Sequence, residues 1–101
     1  MVPSIDKTVY AAVMQPGNAL DMSDWHTCET THCRAGWVVV LAGEAGKALE
    51  KFHGTALAAA LIYRESGSPI AIPRFFDSAE EALADMKRRA EAAGGAISDS
   101  A

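Results

Sequence analysis

The chain has 101 residues, half of them hydrophobic, with nine basic against thirteen acidic residues and a formal net charge of −4. This length suits one domain, expected over residues 1–94, followed by a disordered tail over residues 95–101. The acidic balance argues against nucleic-acid binding by phosphate neutralisation, which needs Lys and Arg concentrated on one face. The sequence shows neither an apolar run of membrane-spanning length nor a signal-like start, so we expect no membrane association and a cytoplasmic location.

The first predicted element is a helix that begins after Ser4 and runs to Met14. Ile5, Val9 and Val13 fall on one helical stripe, and Ser4 is the expected N-cap. The following turn residues end this helix, and residues 20–25 are expected to form a loop because they are short and mixed in character.

The segment from Thr30 or Thr31 to Gly43 is apolar on all sides, which is typical of a buried element. Three adjacent valines at residues 38–40 favour a strand, whereas the threonine caps and the closing glycine favour a helix. We predict a buried central helix, because no second convincing strand lies nearby to pair with it. Gly36 inside this helix indicates a close crossing by another element.

Two further short helices are predicted over residues 45–52 and 56–64, with Gly54 between them. Residues 66–69 form a turn. Residues 70–76 are expected to be an extended crossover, because prolines disfavour a helix at its ends.

The last predicted helix begins with a capping box, in which Ser78 and Glu81 satisfy backbone donors at the helix start. Together these elements predict a mostly α fold: a small single-domain bundle of four to five short helices around a buried central helix, with one extended crossover. Because much of the apolar content is alanine, we expect a thin core, and a homodimer that completes it is left open. The large side chains expected in the core are Val9, Val13, Trp25, Trp37, Leu41, Leu49, Phe52, Leu57, Leu61, Phe75, Phe76, Leu83 and Met86.

Special chemistry is expected between residues 25 and 37, which hold both cysteines, both tryptophans and two of the three histidines. A zinc site is one interpretation, but the spacing is poor, because adjacent ligands would have to point the same way. No cofactor is therefore expected, and zinc is kept as an alternative. The candidate redox or metal-binding residues are Cys28, Cys33, His26 and His32.

In the redox interpretation, Cys33 lies in the first turn of the central helix, where the helix dipole stabilises its thiolate. A disulfide then requires Cys28 to lie before the helix and curl back. In the structural interpretation, which we favour, both cysteines are buried, the histidines complete hydrogen bonds at the helix start, and Trp25 and Trp37 belong to the core.

The pattern Cys-x-Thr-x-x-Cys-x-Ala-Gly-Trp at residues 28–37, with Pro-Arg-Phe-Phe-Asp-Ser further on, resembles small proteins of bacteriophages and prophages. The likeness covers about residues 20–91. Such relatives often have a glycine after the first cysteine, where this chain has Glu29. The resemblance implies a helical domain of phage or mobile-element origin in a bacterial host, and it carries no activity with it.

No reaction signature is evident, so no catalytic residue is assigned and a non-enzymatic protein-interaction module is favoured. Its partner is expected to be a protein, neither a membrane nor a nucleic acid, and inhibition of a host or defence protein by such binding is left open. The candidate interaction residues are Ile72, Phe75 and Phe76, in the apolar crossover. The alternative is a thiol redox or metal-binding protein centred on Cys28 and Cys33.

Overall fold

A computed structural model describes residues 1–100, with the side chains of residues 1–93. Over this part of the chain the protein has five α-helices, three short β-strands and one 3₁₀ helix. In chain order these are α1 (Ile5–Met14), β1 (Ala19–Leu20), β2 (His26–Cys28), β3 (Thr31–His32), α2 (Arg34–Leu41), α3 (Gly43–His53), α4 (Thr55–Glu65), the 3₁₀ helix (Ile72–Phe76) and α5 (Ala79–Ser100). The predicted mostly α single domain is confirmed. The predicted disordered tail falls outside the residues whose side chains are described, and stays a prediction.

Helix α2 is the central element, and it packs against α1, α3 and α4. The predicted helix is confirmed, and Ala35, Val38 and Val39 are at most 1% exposed, whereas Val40 at the end of the valine run is 37% exposed. The helix starts later than expected, at Arg34. Its N-cap is Cys33, and the predicted threonine starts are wrong, because Thr31 is already committed to β3.

A small sheet precedes α2 and was not expected from the sequence. Its strand order is β1-β3-β2, with β1 parallel and β2 antiparallel to β3. The predicted loop after α1 therefore contributes a strand at Ala19–Leu20. The indole Nε1 of Trp37 donates a hydrogen bond to the carbonyl oxygen of Ala19, 2.9 Å away, which fastens the sheet to the central helix.

The crossover between α4 and α5 is not extended throughout. Residues 72–76 form a 3₁₀ helix with a proline in its first turn, where the missing N–H and the fixed φ of proline are tolerated. At the start of α5 the predicted capping box is confirmed. The Ser78 N–H donates to Glu81 Oε1, and the Glu81 N–H donates to Ser78 Oγ. The donor–acceptor distance is 3.1 Å in each bond.

At α1 the predicted stripe of Ile5, Val9 and Val13 is buried, but Ser4 makes no side-chain cap bond. Several aromatic and aliphatic side chains expected in the core are instead exposed. They are Phe52 (84%), Phe76 (67%), Leu57 (41%) and Trp25 (36%). Within the described residues, no helix combines the length and the apolar character that a bilayer crossing requires.

Candidate functional site

The histidine and cysteine segment forms a hairpin, β2–β3, that lies against the start of α2. The N–H of Cys33 donates a hydrogen bond to the carbonyl oxygen of Trp25, 3.2 Å away. A Cβ added at Gly36 would overlap that same carbonyl oxygen, so glycine is required where the chain before β2 crosses the helix. The close crossing predicted from Gly36 is therefore confirmed, and it fixes the backbone of Trp25 against α2.

The two cysteines are free thiols in different environments. Cys33 is buried, and its Sγ accepts a hydrogen bond from the N–H of Gly36 as the cap of α2. Burial raises the pKa of the Cys33 thiol above its ordinary value, which disfavours the thiolate that the redox interpretation places here. The prediction of two buried cysteines is also wrong for Cys28, which is exposed on β2.

The exposed thiol of Cys28 is the more acidic of the two. Thr30 Oγ1 lies 3.6 Å from its sulfur, and hydrogen bonding from Thr30 and Thr31 lowers the pKa of Cys28 from 9.0 to about 7. A thiol with this pKa is partly ionised at neutral pH, and the thiolate is the nucleophilic form. Exposure and a lowered pKa therefore make Cys28 the better suited of the two thiols to react.

His26 and His32 form a hydrogen-bonded chain that joins the hairpin to α3. Their Nδ1 atoms are 2.7 Å apart, His26 Nε2 lies 2.7 Å from Glu50 Oε2, and His32 Nε2 lies 2.9 Å from the Glu29 carbonyl oxygen. Burial on its own would raise the pKa of Glu50, but hydrogen bonds from His26 and Thr55 outweigh it and bring that pKa below its ordinary value.

The geometry does not support the zinc alternative. Within the described part of the chain, no group of three or more His, Cys, Asp or Glu side chains is placed to hold a metal ion. The candidate set is divided instead: the histidines bond to each other and to Glu50, Cys33 caps a helix, and the thiol of Cys28 is close to Thr30.

An exposed aromatic pair lies next to the hairpin. The rings of Trp25 and Phe76 meet edge to face, with centroids 5.7 Å apart and an interplanar angle of 77°. Ile72, in the same 3₁₀ helix as Phe76, is also exposed, whereas Phe75 is only 1% exposed. The predicted interaction set is therefore corrected: Phe75 belongs to the core, and Trp25, which was assigned to the core, is on the surface.

The largest feature missed from the sequence is a buried ion pair. Arg34 is fully buried. Its Nη1 donates a hydrogen bond to Asp85 Oδ2, 2.7 Å away, and its Nε donates one to the Tyr63 hydroxyl, 3.2 Å away. Arg88 also pairs with Asp85, and Arg89 pairs with Asp6 on α1. The available signal was an arginine in the first turn of an otherwise apolar helix.

No family model, curated protein or solved structure matches this chain. The resemblance to phage and prophage proteins therefore stays a prediction.

Proposed function

We propose that this protein is a non-enzymatic protein-interaction module whose contact surface is the aromatic pair Trp25–Phe76. The single observation behind the proposal is that two large aromatic rings, 36% and 67% exposed, pack against each other at the surface. Aromatic residues are enriched at protein interfaces, where a few of them carry most of the binding energy. In line with the predicted phage origin, the proposed partner is a protein of the bacterial host or its defence systems.

A second argument supports a preformed surface. The Trp25 carbonyl accepts the Cys33 N–H and lies against Gly36, so the backbone under the tryptophan is anchored to the central helix. Phe76 follows the buried Phe75 in a 3₁₀ helix, which holds the backbone of Phe76 in place. Because both backbones are held and the two rings pack against each other, the pair loses little conformational freedom when a partner covers it.

Affinity capture from bacterial lysate tests the proposal with three forms of the protein. The wild type and Phe52→Ser are expected to enrich the same partner, because Phe52 is exposed but is not part of the pair. Phe76→Ser is expected to weaken binding about 30-fold, the effect of losing an interface residue worth about 2 kcal/mol. The proposal fails if Phe76→Ser and the wild type retain the same proteins. Sedimentation velocity on all three forms shows whether the partner is a second copy of the chain.

The exposed, acidic thiol of Cys28 supports a second candidate, a thiol function in which Cys28 reacts and Cys33 does not. Reaction of the folded protein with an aromatic disulfide reagent is expected to show one fast thiol, half ionised near pH 7, that Cys28→Ser removes. Cys33→Ser is expected to keep the fast phase. A fast phase that survives Cys28→Ser contradicts this candidate.

A further inference from the structure

A small pocket opens beside the aromatic pair. Its volume is about 290 Å³, and it is lined by Met22, Ser23, Asp24, Trp25, Phe75 and Phe76. Three aromatic residues line it: Trp25 and Phe76 are exposed and their rings stand nearly perpendicular to each other, whereas Phe75 is 1% exposed.

Asp24 is the charged side chain among these lining residues. Within residues 1–93 its carboxylate takes part in no ion pair. The neighbouring Asp21 is satisfied locally, because Ser23 and Thr27 donate to its carboxylate. Arg74, in the adjoining 3₁₀ helix, is paired with Asp77 and lies within ion-pair distance of Asp85. The pocket thus joins aromatic walls to a carboxylate that no cation of the described chain neutralises.

We infer that this pocket binds the cationic end of a lysine or arginine side chain from a basic partner protein. The faces of aromatic rings attract cations, and the Asp24 carboxylate supplies the opposite charge. An anionic group would be repelled by Asp24. An apolar group would displace water from that carboxylate and put no donor in its place. The net charge of −4 also favours encounter with a basic partner.

The pocket is small, at about 290 Å³, and it has room for the end of one long side chain. The cation is assigned to a residue of a larger partner, because the proposed partner also covers the exposed aromatic pair beside the pocket. This inference rests on the proposed interaction function and names the chemistry of its partner.

Nuclear magnetic resonance on the full chain tests the inference directly. The probes are blocked pentapeptides, Gly-Gly-Xaa-Gly-Gly, with lysine, arginine, norleucine or glutamate at the centre. The lysine and arginine peptides are expected to shift the indole N–H resonance of Trp25. The resonance of Trp37, which is buried and bonded to Ala19, serves as the internal reference. Norleucine keeps the four-carbon chain of lysine without its ammonium group and is expected to have no effect, as is glutamate.

Two variants separate charge at the pocket from charge in general. Asp24→Asn is expected to weaken binding of the lysine peptide about threefold or more, because the amide keeps the shape of the side chain and removes its charge. Glu44→Gln is the matched control, since Glu44 is a highly exposed acid on α3 that does not line the pocket. It is expected to bind the lysine peptide like the wild type.

The possible outcomes separate a failure of this inference from a failure of the proposed interaction function on which it rests. Equal shifts from the norleucine and lysine peptides, or no shift from any peptide, overturn the cationic ligand and leave the aromatic pair as an interaction surface. So does a lysate partner whose capture depends on Phe76 but not on Asp24. If capture does not depend on Phe76, the proposed function itself is wrong.

Discussion

Arg34 on α2 and Asp85 on α5 form an ion pair inside the protein, with Nη1 and Oδ2 2.7 Å apart and side chains 0% and 3% exposed. The pair joins the central helix to the last helix, and the guanidinium also donates to Tyr63 on α4. Loss of one member of such a pair leaves a buried charge without a partner, which is more costly than loss of an exposed contact.

We therefore expect Asp85→Asn to lower the free energy of unfolding by about 3–5 kcal/mol, measured by urea denaturation. Arg64→Met is the control, because the Arg64–Glu65 pair is exposed on both sides and should contribute less than about 1 kcal/mol. The double variant Arg34→Met with Asp85→Leu should recover much of the loss, since it removes both charges together. Equal effects of Asp85→Asn and Arg64→Met would contradict the structural importance of the buried pair.

The carboxylates of Asp85 and Glu50 predict how the free energy of unfolding depends on pH. Burial on its own would raise the pKa of Asp85, but hydrogen bonds from Arg34 and Arg88 outweigh it, so the pKa lies below 3.8, and that of Glu50 likewise lies below 4.5. A group with a lowered folded pKa stabilises the protein above its unfolded pKa, and this contribution is lost as the pH falls through the folded value. Urea denaturation at decreasing pH should thus show a falling free energy of unfolding below about pH 4.5. The fall should be shallower in Asp85→Asn than in the wild type.

Gly36→Ala should destabilise the protein by about 1–3 kcal/mol, because the added Cβ meets the Trp25 carbonyl oxygen and the hairpin has to move. The sign of the change in the free energy of unfolding distinguishes a tight crossing from an ordinary helix position. Glycine to alanine inside an ordinary helix stabilises it by up to about 1 kcal/mol. Thermal unfolding of the variant gives the sign, and a stabilised protein would mean that the crossing at Gly36 is not tight.

The helical part of the fold was largely predictable, because its patterns are long enough to be distinctive. The stripe of α1, the apolar run of α2 and the capping box of α5 each combine several residues that agree. The strands were not predictable. β1 and β3 have two residues each and β2 has three, too few for an alternating pattern to register.

The candidate site was predicted in its location and not in its details. Cys33 caps α2, although cysteine is not among the usual capping residues. For this reason the start of the helix was predicted at the threonines before it. The burial of Arg34 was not predicted, because arginine is rarely buried without a partner and its partner lies far along the chain on α5. Phe75 is buried and the neighbouring Phe76 is exposed. Which of the two points inward depends on the 3₁₀ geometry, which the sequence pattern did not predict.

Trp25 belongs to two parts of the molecule at the same time. Its main chain lies on Gly36 of the central helix, and its ring stands at the mouth of the aromatic pocket. A substitution deep in the interior at position 36 is therefore able to move the proposed contact surface without altering any surface residue. If the proposed function holds, changes in binding specificity can thus begin at residues that lie outside the contact surface.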